Sequence, residues 1–399
     1  MNILYFIPYI SKKDGGIYQY SLSLLESLSV DTQNNYYIYH LTQNPEIEEI
    51  IKNKRNFFHV GIGKTKENVI YFIIRNLFKV IDAILIFYRY NIKLPKISPL
   101  INILKGYKID IIHCPFQAIP ENVHNIPVIS TMHDVQDLHF PSFFTPEQRV
   151  QRAINSENII SNSDTVIVSY QHIKSDIIKY FNKPEDKVQI LKISVKNLWF
   201  KPFIGKEIQS DLINNIPENY ILYPAITWKH KNHINLIKAI KILKDKGRKV
   251  NLLCTGGKTK FYQDISDMIK SLKLEENISF LGIVNNEDLY NLYINSKGVV
   301  IPTFYEAGSY VLMESIILNI PVICSNVTSL PETIENEDYI FDPYNIDEIA
   351  NKIELLLFDE NFRKSNIQNS KRIAVENTND ELLTNLFKIY HKLIYKQVQ

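Results

Sequence analysis

Two glutamates eight residues apart flank the expected start of a helix, where a ligand that carries both an anionic group and hydroxyl groups could bind. Glu306 follows the apolar run 298–302, and Glu314 lies in the helical pattern 311–318, for which Ser309 is the expected N-cap. A helix N-terminus favours anions because its first amides are unpaired, and carboxylates accept hydrogen bonds from hydroxyl groups. Taken alone, Glu314 is more often a solvated helix residue than a ligand, so the hypothesis depends on what surrounds the pair.

Three further side chains could supply charge or protons to such a ligand. Lys229 and Lys231 follow the apolar run 220–224 and precede a helical pattern, a position that suits contact with phosphate. His133 follows the apolar run 128–132. A histidine at a strand end is more often a structural hydrogen-bonding residue than a catalytic one. The lysines therefore indicate phosphate contact, while the histidine alone indicates no specific chemistry.

Short apolar runs that alternate with helical patterns must position these residues. Such alternation is typical of βαβ units and parallel sheets. The predicted strands are 3–7, 36–41, 57–60, 109–114, 128–132, 165–168, 220–224, 250–255, 278–281, 298–302 and 321–325. We expect an α/β fold in which ligands lie beyond the carboxyl ends of these strands.

The alternation breaks at 198–218, a stretch with Pro202 and Pro217 that we interpret as a linker. Two doubly wound, Rossmann-like domains should then face each other across a central cleft. The predicted parts are an N-terminal domain at 1–200, a C-terminal domain at 201–377 and a C-terminal helix at 378–399 that returns to the first domain.

Composition excludes several classes of protein. The chain has 399 residues, 45% of them hydrophobic and 22% charged, which fits a globular protein of two domains. A net charge of +2 gives no indication of nucleic-acid binding. Cys114, Cys254 and Cys324 form no Cys-x-x-Cys pair, so a disulfide scaffold or cysteine zinc site is not expected. No signal peptide or long apolar span is present, and we expect a cytoplasmic protein.

Residues 69–97 combine aromatic and basic side chains with one acid, Asp82. Two interpretations are open. The segment could form a helical hairpin on the core of the first domain, or a basic amphipathic surface that rests on anionic lipid. The second interpretation predicts peripheral attachment to the inner face of the membrane.

Familiar phosphate-binding and metal-binding patterns are missing or incomplete. The segments 61–65 and 256–259 end like a Walker loop, but both lack its first glycine, so a cradle of amides could not close. No G-x-G-x-x-G follows a strand, which argues against a nicotinamide cofactor. No D-x-D occurs, so a metal-bridged diphosphate is not expected. We predict no cofactor and no metal requirement.

From residue 220 to residue 357 the sequence closely resembles the C-terminal domain of glycosyltransferase family 4, retaining enzymes with the GT-B fold. In the first half, Gly15-Gly16 matches the family's opening glycine loop, and His133-Asp134 matches its histidine after a strand. The matching segments of the second half are Tyr223-Pro224 to His233, Thr255-Gly256-Gly257-Lys258, 278–282, the Glu306 and Glu314 pair, and 321–332.

The resemblance implies a nucleotide-sugar donor as co-substrate and a role for each matching residue. Glu306 and His133 would be the catalytic residues, both beside the transferred sugar. Glu314 would bind the ribose hydroxyls, and Lys231 would neutralise the diphosphate. The departing phosphate would help to deprotonate the acceptor on the front face, so no glutamate need be a nucleophile. The donor would also be bound by Gly16, Lys229, Gly256, Gly282, Gly308, Ser309 and Tyr310.

The chain departs from the family pattern at three places. The usual glycine-aromatic-glycine is Ala307-Gly308-Ser309, the common proline is Val311, and the phosphate-binding arginine falls on Ile226. Either Lys229 substitutes for that arginine or the leaving group is less firmly held. The segment 228–233 resembles the mannosyltransferase-like branch, which favours GDP-mannose over a UDP-sugar. The expected acceptor is a glycan or lipid-linked saccharide in envelope polysaccharide synthesis.

Other functions are possible on the same fold. One is a nucleotide-sugar epimerase or a phosphorylase, although no motif places a lysine for the pyridoxal phosphate of a phosphorylase. Another is a non-catalytic sugar-nucleotide sensor or scaffold. The retained Glu306, Glu314 and Lys231 argue against a sensor, whereas the Ile226 departure keeps that alternative open.

Overall fold

The computed structural model describes two parallel sheets, each flanked by helices. It describes the whole chain except residues 12–14, 42–43, 62–76, 78–80, 82–99, 121–122, 124–125, 193–198, 207–211, 213–215, 377–378 and 397–399. The segment 69–97, for which membrane contact is predicted, lies almost wholly outside the described residues. Within the described part of the chain, no helix is long and apolar enough to cross a membrane.

The first sheet has seven parallel strands in the order β3-β2-β1-β4-β5-β6-β7. Both faces of a parallel sheet are covered, so its strands are apolar along their length. On β1, for example, Leu4 pairs with Tyr37 on one side and Ile112 on the other. The strands are β1 Asn2–Phe6, β2 Asn35–Tyr39, β3 Phe57–Val60, β4 Ile111–Cys114, β5 Val128–Thr131, β6 Thr165–Val168 and β7 Val188–Ile190.

Six helices in the described part of the first half accompany this sheet. They are α1 Gly16–Leu28, α2 Pro45–Ile51, α3 Leu100–Gly106, α4 Gln136–His139, α5 Pro146–Ser161 and α6 Gln171–Phe181. The start of α5 is fixed by a capping box in which Thr145 accepts from the Gln148 amide and the Gln148 side chain accepts from the Thr145 amide.

The second sheet has six parallel strands in the order β10-β9-β8-β11-β12-β13. Its strands are β8 Ile221–Pro224, β9 Leu252–Thr255, β10 Ile278–Gly282, β11 Gly298–Ile301, β12 Val322–Ser325 and β13 Ile340–Phe341. Its helices are α7 His233–Asp245, α8 Tyr262–Ser271, α9 Asn286–Ile294, α10 Tyr310–Ile317, α11 Leu330–Ile334, α12 Ile346–Phe358 and α13 Glu360–Glu376. The central strands β8 and β11 are neighbours, so the loops that follow them lie side by side.

The last helix, α14 Asn379–Lys396, occupies the region for which the sequence predicts a returning C-terminal helix. It packs into the core of the first sheet, where Leu386 and Tyr390 are fully buried. The Tyr390 hydroxyl lies 2.6 Å from Nδ1 of His113 on β4. Burial lowers the pKa of His113 to about 3, so this contact joins two neutral side chains.

Candidate active site

Glu306 lies in the loop between β11 and α10, beyond the carboxyl end of a central strand. Its amide donates to the Thr328 hydroxyl at 3.0 Å, and its carbonyl accepts from the Ser329 hydroxyl at 3.1 Å. Ser329 immediately precedes α11, so Glu306 is fixed by the loop of the neighbouring strand. The side chain is mostly buried, with 11% of its surface exposed.

Lys231 reaches the same place from the other central strand. It ends the 3-10 turn Lys229–Lys231 after β8, and its Nζ lies 2.6 Å from Oε1 of Glu306. Only 19% of the lysine side chain is exposed. A largely buried ammonium beside a carboxylate can bind a phosphate only if the ion pair opens or is shared, because each charge needs a partner.

Asn232 holds the two loops together. It adopts a left-handed backbone conformation with φ of 56° and caps α7 by accepting from the Asn235 amide. Its side-chain amide also donates to the Pro302 carbonyl at 2.8 Å. The Thr303 hydroxyl donates back to the His230 carbonyl at 2.8 Å. These contacts between side chains and backbone hold the two loops together and place Lys231 against Glu306.

The helix α10 begins as the sequence predicts. The Ser309 hydroxyl accepts from the Leu312 amide at 3.3 Å, which confirms Ser309 as the N-cap. Glu314 is the fifth residue of this helix and is buried, with 9% of its surface exposed. Glu314 is therefore not the solvated residue that its helical position alone would favour, and its predicted role in donor binding stays a prediction.

Glu314 contacts two aromatic donors. The Trp199 indole N–H donates to Oε1 at 2.6 Å, and the Tyr293 hydroxyl donates to Oε2 at 2.8 Å. Burial raises the pKa of Glu314 to about 7, and these two hydrogen bonds lower it in part. Neither Trp199 nor Tyr293 is predicted from the sequence, because no local pattern links residues that are 115 and 21 positions from Glu314.

The first residues of two helices meet between the domains. Gly16 begins α1, and a Cβ atom there would lie 3.7 Å from the ring of Tyr310, which begins α10. The buried Tyr310 hydroxyl has no hydrogen-bond partner among the described residues. The carboxyl-terminal sides of both sheets therefore face the same cleft, with two helix N-termini directed at it.

Gly308 provides a second contact between the domains. A Cβ atom at Gly308 would lie 3.0 Å from the ring of Tyr170, which follows β6 in the first domain. Tyr170 is buried, and burial raises its pKa. The ring of Tyr170 thus occupies the space beside position 308. In the glycosyltransferase family that the sequence resembles, this position itself is usually aromatic.

His133 lies at the end of β5, where the sequence predicts it. Its Nε2 lies 2.9 Å from the Pro115 carbonyl, so in this contact Nε2 carries the proton and Nδ1 is the acceptor. The ring packs edge-on against Tyr20 of α1, and burial lowers its pKa. Asp134 forms an ion pair with Arg152, which also contacts Asp137 at 2.7 Å. Asp134 therefore orients this loop.

The other residues predicted to bind the nucleotide-sugar donor have no direct contact with Glu306 or Glu314 among the contacts described. Lys229 is exposed, and its Nζ lies 5.6 Å from the centre of the Phe261 ring. Gly256 has φ of 108°, and a Cβ atom there would lie 2.8 Å from the backbone of Ala225, so the position requires glycine. The Gly256 amide donates to the Gly282 carbonyl at 2.7 Å. That amide is therefore engaged within the protein.

Among the described residues, one cluster has donor atoms that could hold a metal ion. His40, Glu48 and His59 place one donor atom each within 4.8 Å of one another. They lie on the first domain, whereas Glu306, Glu314 and Lys231 belong to the second. His59 uses both ring nitrogens, with Nδ1 2.9 Å from His40 and Nε2 3.0 Å from Glu48. Direct contacts among the three side chains thus account for the cluster.

Two family models match the chain on either side of residue 200. "Glycosyl transferases group 1" matches residues 206–373, and "Glycosyltransferase Family 4" matches residues 63–192. The first match includes both glutamates and Lys231, and the second includes His133.

Relatives and solved structures agree with these models. O-antigen chain mannosyltransferase B of Escherichia coli is 26% identical over 306 residues, which cover 72% of this chain and 76% of the relative. O-antigen chain mannosyltransferase RfbU of Salmonella typhimurium is 28% identical over 53% of this chain and 57% of its own length. The structure of sucrose-phosphate synthase from Thermosynechococcus elongatus superimposes with a TM-score of 0.69 at 16% identity, covering 99% of both chains. The two sheets thus have the GT-B arrangement.

Proposed function

Since the chain belongs to the family 4 type of glycosyltransferases with the GT-B fold, we propose that it transfers a sugar from a nucleotide-sugar donor with retention of configuration. The observation that carries this proposal is the ion pair of Lys231 and Glu306, held at the carboxyl ends of two central strands. The N-terminus of α10 lies beside it and favours an anion.

The chemistry requires that the diphosphate leaving group be stabilised as its bond to the sugar breaks. Lys231 would meet the developing charge, together with amides at the starts of α1 and α10. When the diphosphate binds Lys231, Glu306 would be released to accept hydrogen bonds from the transferred sugar. No carboxylate attacks the sugar in this proposal. The departing phosphate takes the proton of the acceptor hydroxyl on the same face.

His133 would bind the transferred sugar as a neutral ring. Burial lowers its pKa, and the Pro115 carbonyl holds Nε2. Nδ1 is then left as an acceptor for a sugar hydroxyl. Its proposed role is therefore to orient the sugar, with no proton exchanged.

The donor and acceptor are proposed from the relatives and the sequence. Two relatives are O-antigen chain mannosyltransferases, which favours GDP-mannose over a UDP-sugar. The same names favour a growing glycan or lipid-linked saccharide of the cell envelope as acceptor. We further propose that residues 69–97 attach the protein to anionic membrane at the cytoplasmic face. Sedimentation with anionic but not neutral liposomes, reversed by salt, would support that attachment.

We also propose that the reaction needs no metal ion, because the charge of the leaving group can be met by Lys231 and helix amides. Transfer activity should then persist in EDTA. Loss of activity that magnesium or manganese restores would contradict this proposal and would direct attention to a metal-bridged diphosphate.

The first experiment is a thermal-shift screen with GDP-mannose, UDP-glucose and ADP-glucose. A ligand that binds only the folded chain stabilises it, by about 2.7 kcal/mol at a concentration of a hundred times Kd. We expect GDP-mannose to give the largest shift and to release GDP when an acceptor glycan is added. Binding without any release, with or without acceptor, would favour the non-catalytic sensor.

A further inference from the structure

The carboxylate of Glu314 is oriented by side chains from outside its own helix. Trp199 donates to one oxygen at 2.6 Å, and Tyr293 of α9 donates to the other at 2.8 Å. Both donors are uncharged, so the carboxylate is fixed without an ion pair. Each carboxylate oxygen has a further acceptor site, which leaves Glu314 able to accept two more hydrogen bonds.

Trp199 lies between the two sheets in sequence, but it is anchored in the second domain. The next residue, Phe200, has no exposed surface, and its ring centre lies 5.3 Å from that of Trp199. The Trp199 ring also packs against Tyr293 at 6.4 Å. Two residues further on, Lys201 pairs with Glu26 of α1 at 3.4 Å. Residues 199–201 of the predicted linker, here called the connector, thus link α1 of the first domain to the Glu314 carboxylate.

We propose that Trp199 and Tyr293 are positioning residues for the donor ribose, which hold the Glu314 carboxylate so that its remaining acceptor sites meet the 2′- and 3′-hydroxyls. This inference rests on the proposed function, in which Glu314 binds the ribose. It adds that a residue of the connector controls nucleotide affinity without touching the nucleotide.

The ionisation of Glu314 depends on the same contacts. Burial raises its pKa to about 7, and the hydrogen bonds from Trp199 and Tyr293 oppose that rise. Tyr310, on the same helix, also interacts with Glu314, but burial raises the pKa of Tyr310 well above its usual value, so it stays neutral. Removal of one donor should therefore raise the pKa of Glu314 further and reduce its ionised fraction at neutral pH.

The test compares nucleotides with and without the two ribose hydroxyls. Trp199→Phe removes the indole N–H but keeps an aromatic ring, and Tyr293→Phe removes only a hydroxyl. Isothermal titration calorimetry measures the binding of GDP, UDP and their 2′,3′-dideoxy analogues. For the diphosphate that the wild type binds, we expect each variant to lose about tenfold in affinity. Affinity for the dideoxy analogue should change by less than about twofold, and the loss should shrink at pH 8.5 as Glu314 ionises.

Tyr339→Phe provides the matched control. The Tyr339 hydroxyl donates to Ser365 at 2.8 Å in the same domain, so this variant also loses one hydrogen bond of a buried tyrosine. It should bind both nucleotides like the wild type. Melting temperatures identify any variant that fails to fold, in which case the other variant decides.

The possible failures are distinct. Equal loss of affinity for the ribonucleotide and its dideoxy analogue would mean that Trp199 and Tyr293 only support the fold, and the inference would be wrong. Unchanged affinity for both would refute it as well. A wild type that binds neither diphosphate, or does not distinguish it from the dideoxy form, would overturn the ribose assignment of the proposed function itself, and this inference with it.

Discussion

The loop around Glu306 and the helix around Glu314 hold their carboxylates in opposite ways. Glu306 faces an ammonium group, Lys231, at 2.6 Å, whereas Glu314 faces the neutral donors Trp199 and Tyr293. Burial without a cation disfavours the ionised form of a carboxylate, and the pKa of Glu314 is accordingly raised to about 7. The ion pair thus places a cation in the loop, where a diphosphate would need it. At the proposed ribose contact no cation is paired with the carboxylate, and Glu314 is only partly ionised at neutral pH.

This difference implies different responses to mutation and to pH. Removal of one member of the ion pair leaves the other buried and uncompensated, which costs stability as well as activity. The Glu314 region contains no such pair, so its response should appear mainly in nucleotide binding. Four predictions test the contrast, and the largest effect is expected in the loop.

Lys231→Ala should have the largest effect. The transition state would lose its nearest cation, and we expect turnover to fall about a hundredfold or more. The free energy of unfolding should also fall by about 3 kcal/mol, because Glu306 is left buried without a partner. Product formation and thermal unfolding measure the two losses. The double variant Lys231→Ala, Glu306→Gln should regain stability but not activity. If Lys231→Ala keeps wild-type turnover, Lys231 does not stabilise the charge of the leaving diphosphate.

The two glutamates should differ in which kinetic constant they affect. Glu306→Gln should lower turnover by about thirtyfold with little change in nucleotide affinity, because its partner in the reaction is the transferred sugar. Glu314→Gln should weaken nucleotide binding by about tenfold, with a smaller change in turnover. Steady-state kinetics together with calorimetry separates the two. If both variants keep full activity, neither glutamate belongs to the site.

Nucleotide affinity should depend on pH through Glu314. With a pKa of about 7, the carboxyl gains a proton as the pH falls from 8 to 6, and we expect Kd to rise about fivefold more than in Glu314→Gln. The comparison with the variant cancels the titration of the nucleotide phosphate. The folding stability of the protein without nucleotide should depend on pH in the opposite direction to nucleotide affinity. Because its folded pKa is raised, the contribution of Glu314 to stability is greatest below about pH 4.5 and is lost as the pH rises through 7. A pH dependence that Glu314→Gln retains would assign the titration to another group.

Most strands of both sheets are predictable because the central parallel strands are buried on both faces and stand out as apolar runs. All eleven predicted strands are present, with ends that differ by at most two residues. The two that were missed, β7 and β13, are edge strands of three and two residues, too short to show a pattern.

The part of the site that can be predicted is the part fixed by local structure. Ser309 is the N-cap of α10, and Lys231 ends the turn between β8 and α7, so their positions follow from their immediate neighbours. Trp199 and Tyr293 contact Glu314, and Tyr170 contacts Gly308, only through tertiary packing between distant segments. A sequence read along the chain carries no sign of such contacts, and this is why Glu314 could be placed but its environment could not.

The smallest effect is expected at Lys229, which precedes Lys231 by two residues. Lys229 is the candidate substitute for the family's arginine, because Ile226 occupies the arginine position in this chain. Lys229 is exposed, with its ammonium 5.6 Å from the Phe261 ring, so it is far less constrained than Lys231. An exposed cation contributes roughly 0.5 to 1 kcal/mol to binding an anion. We therefore expect Lys229→Ala to raise the KM for the donor about threefold and to leave stability unchanged.

If Lys229 substitutes for the missing arginine, an arginine at position 226 should make Lys229 dispensable. Ile226 is 36% exposed, so an arginine can be accommodated there without creating a buried charge. Ile226→Arg should then restore the KM of Lys229→Ala, at least in part, because it returns a cation to the position that the family uses. Ile226→Glu is the matched control and should raise KM in either background. If Lys229→Ala has wild-type KM and turnover, Lys231 and the helix amides meet the diphosphate charge without Lys229, and the contrast between loop and helix rests on one cation alone.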